Sequence, residues 1–373
     1  MPLTVTVVLP CLDEAKTIEH CVTEALSGLD AAGREGEVLV VDNGSTDGSR
    51  ELAEAAGARV VREARRGYGS ALSRGVREAK GEIVVFSDAD GSYVFDNLAP
   101  LLDGVDAGAD LMMGTRLKGT VEPGAMPWSH EHIGTPVLTF LVNLLFRTKI
   151  SDINCGQRAF LTSSARKLDL RATGMEFASE NIIKSALAGF EIREVPIVLH
   201  KDLRDRAPHL RTWRDGWRHL RFILLFAPNM VLIAPGLALF LVGAALGAPI
   251  FLGDPGLPPV AAYSASALVL LGAQFITVGV IAKTWYHVEG FYKRPYLDKM
   301  FRFFSLEMGL IAGFGLILIG LIAGWPLLDA WRFGVAPDPA GALASLTFLV
   351  LGLHVITASI ILSVLGIRKR SSG

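Results

Sequence analysis

The sequence predicts a soluble α/β domain over residues 1–209, an amphipathic interfacial helix over 210–226 and a membrane domain of four α-helices over 227–373. Three observations predict it. Of the 373 residues, 51% are apolar and only 20% charged, more apolar than a soluble chain of this size needs for its core. The excess is concentrated after residue 226, while the first 200 residues carry charge throughout. Before residue 114, short apolar runs alternate with helical stretches, the pattern of a parallel, doubly wound sheet.

Taken in order, the strand candidates are Val5–Leu9, Val38–Val41, Arg59–Val61, Ile83–Phe86 and Leu111–Met113. Each is a brief, continuous apolar run suited to a sheet covered on both faces. Lys16–Leu29, Ser49–Ala56 and Ser70–Ala79 read as the helices between them. In the segment 210–226, Leu210, Trp213, Trp217, Leu220 and Leu224 form one apolar helical stripe, with Arg211, Arg214, Arg218 and Arg221 beside it. Tryptophans at headgroup depth and arginines on lipid phosphates are the signature of a helix lying in a membrane interface.

Four apolar segments follow, at about 231–252, 260–282, 303–325 and 342–367, each near the ~20 residues that cross a bilayer as a helix. Lys283, Lys293, Arg294, Lys299 and Arg302 lie between the second and third, and the tail ends Arg368-Lys369-Arg370. The other two connections hold one basic residue, Arg332. The positive-inside rule therefore places the basic loop, the tail and the N-terminal domain in the cytosol. An alanine- and leucine-rich composition favours a prokaryotic cell membrane. Glycine pairs at Gly243–Gly247, Gly309–Gly313 and Gly320–Gly324 permit close helix packing, and Gln274 and His354 are expected to hydrogen-bond between helices.

Several classes are disfavoured. A net charge of −1 argues against nucleic acid as a partner. The cysteines, Cys11, Cys21 and Cys155, are odd in number and lack metal-ligand spacing, as expected of reduced thiols. The start, MPLTVTVVLP, has no basic n-region, so no signal peptide is expected. Neither a dinucleotide nor a P-loop glycine pattern follows the first strand.

Acidic residues cluster where ligands of such sheets bind, just beyond the strand ends. Asp13 and Glu14 follow the first strand, Asp42 and Asp47 the second, and Asp88-Ala89-Asp90 the fourth. Two carboxylates one residue apart at a strand end can face one hard cation, Mg²⁺ or Mn²⁺, that also holds phosphate oxygens. This rim suits a nucleotide whose diphosphate arrives with a divalent cation.

The segments VVLPCLDEAKTI, VVDNGSTDGS, RRGYGSAL and VVFSDADGSY, continued by MGTRLKG, GAMPWSHEHIGTPVLT, SDINCGQRAF and EFASENIIKSALAGFEIREVPI, carry a resemblance. Together they resemble the inverting nucleotide-sugar glycosyltransferases of family 2, which have a GT-A fold. With RTWRDGWRHLRF and four spans, the chain looks like the dolichyl- and polyprenyl-phosphate sugar synthases. The resemblance implies that Pro10, Asp13, Glu14 and Ala89 line the donor pocket and that Asp42 contacts the base. It implies a metal held by Asp88 and Asp90, and catalytic roles for Asp90, Arg116 and the loop arginines Arg204 and Arg206. Arg116 and one of those two would grip the acceptor phosphate.

Three departures from the pattern stand out. Ser92 occupies the place of a glutamine near the metal, which leaves the third ligand open. His130 and His132 stand where an arginine is usual, and either is a candidate for the acceptor phosphate. Gln157-Arg158-Ala159-Phe160 is similar to the QxxRW of polysaccharide synthases without matching it. Glu180 lies where many family 2 enzymes keep a catalytic acid, so it is a candidate base for a hydroxyl acceptor and a structural or sugar-binding carboxylate for a phosphate acceptor, and Arg158 either supports the site or pairs with Asp152.

The implied reaction moves a hexose, mannose or glucose, from a nucleoside diphosphate to a polyprenyl phosphate with inversion. A phosphate monoester is already anionic near neutral pH, so its attack requires no general base. Alternatives are a membrane transferase that elongates a polysaccharide with Glu180 as base, and a lipid-linked-sugar flippase with a regulatory soluble part. A homo-oligomer is compatible with either.

Overall fold

The computed structural model describes residues 4–95, 98–204, 212–251, 258–290, 305–336 and 338–370. The chain divides into two compact units, Met1–Phe226 and Ala227–Gly373. In the first, seven strands form one sheet: β1 (Val5–Cys11), β2 (Gly36–Asp42), β3 (Arg59–Arg62), β4 (Ile83–Phe86), β5 (Leu111–Val121), β6 (Arg158–Leu161) and β7 (Ile192–Leu199). Their order is β3-β2-β1-β4-β6-β5-β7.

The first four strands run parallel, as the alternation predicts. The expectation of an all-parallel sheet is corrected at β6, which runs antiparallel to both β4 and β5. Arg158, the first residue of β6, pairs with Met113 near the start of β5, and β6 then runs back towards Leu111. A four-residue strand carries no directional signal in its composition.

Helices α1 (Ile18–Ala31), α2 (Ser49–Ala55), α3 (Tyr68–Glu78) and α4 (Leu98–Asp106) connect the early strands. Val7, Leu9, Val38, Val40 and Val85 bury one face against Ile18, Val22 and Leu29 of α1 and Leu98 and Leu102 of α4. Each such side chain contributes roughly 1.5–3 kcal/mol on leaving water. After β5, a π-helical turn (His130–Gly134) leads into α5 (Thr135–Phe146); α6 (Thr162–Lys167) and α7 (Phe177–Ala188) precede β7, and α8 (Thr212–Leu225) closes the unit.

The second unit holds α9 (Ala234–Phe251), entered through a π-helical turn at Asn229–Ile233, then α10 (Pro259–Val288), α11 (Leu306–Phe333) and α12 (Pro339–Arg370). Four spans, Asn229–Pro249, Val260–Val288, Leu306–Phe333 and Pro339–Gly366, are long and apolar enough to cross a membrane. The second and third outlast the predicted ends at 282 and 325, because neither Lys283 nor Pro326 stops its helix. Lys293, Arg294, Lys299 and Arg302, on which the orientation rests, lie outside the described residues, as do 303 and 304 of the third span.

The glycine pairs do bring helices close. A Cβ on Gly243 would stand 2.7 Å from the Val269 nitrogen of α10, and one on Gly320 would stand 2.9 Å from that of Leu349 in α12. Ser345 of α12 donates to the Gly320 carbonyl at 2.7 Å, and the ring Nε2 of His354 lies 2.8 Å from the Thr277 hydroxyl of α10. The expected interhelical bond of His354 is therefore present.

Candidate active site

Parallel pairing aligns the ends of β1 and β2, with Cys11 opposite Asp42. The loops that follow are stitched together. The Asp13 amide donates to Ser45 Oγ (2.9 Å), that of Glu14 to Ser49 Oγ (2.8 Å), that of Ala15 to Asp47 (2.9 Å), and that of Thr46 back to Asp13 (2.8 Å). Asp13 sits at φ 57°, a left-handed conformation that this mutual bonding holds. Asp13 lines a small pocket of about 270 Å³ next to the main cleft, and shares it with Glu14 and Arg204, which line both.

The main cleft, about 1080 Å³, is lined by Pro10, Glu14, Asp88, Ala89, Asp90, Arg116, His130 and Arg204 among others. Asp42 is fully buried beneath Asn43, which does line it. One Asp42 oxygen accepts from the Ser45 amide at 2.9 Å. The other has no hydrogen-bond partner among the described residues, with Arg50 and Arg62 at 3.9 and 3.8 Å.

Asp88 and Asp90 lie just past β4. Tyr68, at the start of α3, donates its hydroxyl to Asp88 at 2.9 Å. Burial, then the neighbouring charge of Asp90, pushes the Asp88 carboxyl up to about 6, against the pull of Tyr68. Asp90 accepts from both the amide (3.0 Å) and the hydroxyl (2.6 Å) of Ser92, which is thereby turned onto the carboxylate. Among the described residues no cluster of three or more ligating side chains exists. The donor set nevertheless fits a hard cation that takes its remaining ligands from phosphate and water: the oxygens are carboxylate, paired and mutually repelling.

The end of β7 and the segment 200–204 after it lie along this turn. Leu199 bridges Tyr93, the His200 amide donates to Ser92 (2.9 Å), and the Leu203 amide donates to Asp90 (3.0 Å). Gly91, at φ 77°, passes directly under Leu203, where a Cβ would stand 2.7 Å from that side chain. Arg204 ends this strap with its guanidinium on Glu14 (2.7 and 3.0 Å) and on Asp90 (3.3 Å). Burial opposes its charge, but Asp90 and Glu14 more than offset that. Arg206 lies outside the described residues.

Arg116 is tied to fully buried Asp152 by two bonds, Nε at 2.6 Å and Nη2 at 2.8 Å. Burial alone would raise the Asp152 carboxyl, but Arg116 holds it below the ordinary range. Of the two alternatives for Arg158, pairing with Asp152 is therefore not the one seen. Arg158, also buried, donates to the carbonyls of Ile153 (2.7 Å), Cys155 (2.9 Å) and Ala178 (2.9 Å) and to the Asn181 side chain (2.8 Å). It fastens the turn before β6 to α7.

Glu180 takes the structural one of its alternatives. Its carboxylate is buried, paired with Lys184 at 2.8 Å, and accepts the amides of Arg171 and Ala172 at 2.7 to 3.0 Å. It is absent from the cleft wall and works as the anchor of the 169–172 loop. The two histidines separate: His130 lines the cleft, its imidazole lowered by burial and then by Arg116, while His132 stacks on Trp128 at 5.1 Å with half its side chain in solvent.

Two helices form the far wall. The face of α8 that packs inward is Asp215, His219 and Ile223, with His219 Nδ1 2.7 Å from the Ser179 hydroxyl. Trp213 and Trp217 of the expected apolar stripe are 91% and 59% exposed. The π-helical turn and α5 together carry a second exposed apolar stripe through Ile133, Val137, Phe140 and Leu144, at helical spacing. Its i, i+4, i+7, i+11 pattern was legible in the sequence but was not among the features picked out there, and nor was Tyr68.

Residues 6–169 match glycosyl transferase family 2, and residues 280–366 match the glycosyltransferase family 2 C-terminal transmembrane region. A low-salt glycan biosynthesis hexosyltransferase of Haloferax volcanii is 33% identical over 97% of this chain and 89% of its own. A polyprenol monophosphomannose synthase of Mycolicibacterium smegmatis is 36% identical over 43% of this chain and 65% of its own. The crystal structure of a mycobacterial protein superimposes with a TM-score of 0.50 at 25% identity, covering 60% of this chain and 75% of the other. The chain belongs to glycosyltransferase family 2 and is a membrane protein.

Proposed function

We propose that this glycosyltransferase moves a hexose, mannose or glucose, from a nucleoside-diphosphate sugar to a polyprenyl phosphate, with inversion at the anomeric carbon. One observation carries the reading: a single cleft joins the Asp88–Asp90 rim and Arg116 to an apolar wall that includes Met126, Ile133, Val137 and Trp217. A lipid phosphate needs both surfaces within one site, whereas a soluble acceptor has no use for the second. The exposed stripe of α5 and the outward tryptophans of α8 suit helices lying at a membrane surface. A hydrophobic acceptor then reaches the cleft between them, in place of a groove among the spans.

In this reading Pro10, Glu14 and Ala89 border the nucleotide, and Asn43, next to buried Asp42, lines the cleft where the resemblance puts the base. Asp13 acts through the loop it ties down. Asp88 and Asp90 hold Mg²⁺ or Mn²⁺, which when bound supplies Lewis-acid stabilisation to the departing diphosphate. The acceptor oxygen attacks as an anion, so the protein's task is to hold two repelling anions in line. Arg116, oriented by Asp152, and His130 face that task from the cleft wall. The first unit and the C-terminus lie on the cytoplasmic side of a prokaryotic membrane, as the basic loop and tail suggest.

Full-length protein in nanodiscs, with Mn²⁺ or Mg²⁺ and polyprenyl phosphate, is offered labelled GDP-mannose, UDP-glucose, UDP-galactose and UDP-N-acetylhexosamines. Metal-dependent label in the lipid phase from one donor, absent in Asp90→Ala, is the expected result. Label in soluble glycan alone overturns the reading in favour of polysaccharide elongation.

A further inference from the structure

The cleft holds more cations than the reaction's resemblance accounts for, and they are not equally available. Arg204 has all three guanidinium nitrogens directed to Glu14 and Asp90, and Arg116 has two of three on Asp152. Across the cleft, consecutive turns of α8 contribute Arg214 and Arg218, both part of its lining. Arg214 donates through Nε to Asp215 at 3.3 Å. Arg218 lies 3.6 Å from Glu176 and 3.9 Å from Asp215, ion-pair distances beyond hydrogen-bond contact.

Position sets these two apart from an ordinary basic stripe. Arg214 is as exposed as Arg221, but Arg221, one turn further on, is not part of the cleft, and Arg214 and Arg218 are. Arg218 Nη1 would stand 3.1 Å from a Cβ on Gly174, and Gly174 belongs to the loop that covers the start of α3. In that loop the Thr173 carbonyl accepts the Gly69 amide at 3.0 Å, beside the Tyr68 that bonds Asp88. One short loop therefore separates Arg218 from the acidic rim. Asp215 is buried and Glu176 is largely so, and together they aim the two guanidinium groups without saturating them.

We infer that Arg214 and Arg218 form a phosphate clamp on the acceptor side of the cleft, taking a lipid phosphate monoester between adjacent turns of the interfacial helix. This rests on the lipid-acceptor reading above. Planar guanidinium groups bind phosphate oxygens bidentately, and four-residue spacing puts both on one side of a helix. The same phosphate chemistry is offered by the acceptor and by anionic headgroups of the bilayer, and the test separates the two.

Full-length Arg214→Gln, Arg218→Gln, the double variant and Arg221→Gln are compared in nanodiscs of neutral lipid and of neutral lipid with an anionic fraction. The acceptor KM is expected to rise about tenfold for each single variant and further for the double, the loss of a hydrogen bond to a charged group. The rise is the same in both lipids, with donor KM and nucleotide binding unchanged and Arg221→Gln like wild type. A matching loss of binding to a water-soluble short-chain prenyl phosphate, read by calorimetry, supports the assignment independently. An unchanged acceptor KM, or a rise confined to anionic nanodiscs, overturns it and leaves the arginines as surface anchors. Wild-type protein that transfers to no prenyl phosphate defeats the functional reading itself, a different outcome from active but unaffected variants.

Discussion

The hydroxyl of Tyr68 donates to one oxygen of Asp88 at 2.9 Å, from a different element and twenty residues away in the chain. Tyr68 thereby selects which Asp88 oxygen stays open to a cation. Replacing it with phenylalanine keeps the ring and removes the bond. Binding of Mn²⁺, followed by electron paramagnetic resonance, is expected to weaken by about tenfold, in line with a hydrogen bond to a charged group. Affinity equal to wild type would mean the tyrosine only packs.

Burial of Asp88 also sets a pH dependence. Its carboxyl is raised from 3.8 to about 6, so between those values the folded state keeps a proton that the unfolded state releases. Stability from this group therefore falls as pH rises through that window. A divalent cation removes the penalty by favouring the charged form. The rise in Tm on adding Mn²⁺ should be larger at pH 7 than at pH 4.5, and equal rises at both would contradict the raised value.

Arg204 sits on the carboxylate that a metal needs, 3.3 Å from Asp90. Two cations on one carboxylate repel, so the Arg204 contact and metal loading oppose each other. Without nucleotide, Arg204→Gln should bind Mn²⁺ several-fold more tightly than wild type while its turnover falls. Weaker metal binding in the variant would show that the arginine supports the site instead of competing for it.

His219 behaves in the opposite sense to Asp88. Burial lowers its imidazole from 6.5 to about 4, so acid protonates the unfolded chain first and stability is lost as pH falls through that interval. The full effect is roughly 3 kcal/mol, one pKa unit being about 1.4 kcal/mol. Trp213 and Trp217, on the same helix, report its release by fluorescence. His219→Asn should flatten the loss between pH 6.5 and 4, and an unchanged profile would place the acid-sensitive group elsewhere.

Glu180→Gln distinguishes an anchor from a base. Loss of its charge leaves buried Lys184 without its anion and weakens two backbone contacts, a cost of about 3 kcal/mol. The expected result is a clear drop in Tm with turnover of the folded fraction within about tenfold of wild type. A stable variant whose turnover falls by orders of magnitude would restore the base and the polysaccharide reading.

Much of the architecture was legible before any coordinates. Strand ends, the Asp88–Asp90 pair, the four spans and the amphipathic helix Thr212–Leu225 follow from short-range pattern, because periodicity and turn chemistry are properties of neighbouring residues. Three assignments were beyond that reach. Asp152 chose Arg116 over Arg158, Glu180 turned away from the cleft towards Arg171 and Ala172, and His130 parted from His132. Each depends on which of several compatible partners long-range packing delivers. The antiparallel β6 belongs with them, since a strand as short as Arg158–Leu161 carries no sign of its direction.

The sequence by itself determined where this chain meets water and where it meets lipid, because hydrophobic length and charge placement are written along one dimension. It also determined the carboxylate pair at the fourth strand, since a loop directly after a buried strand has one place to go. Only the tertiary structure decided which charges are spent on one another and which face the cleft. A buried charge must find its counter-charge wherever the fold brings one, so Arg116, Arg204 and Glu180 are assigned by proximity across the chain. Arg214 and Arg218 keep only loose partners for the same reason: the fold holds Asp215 and Glu176 close enough to orient them and too far to satisfy them.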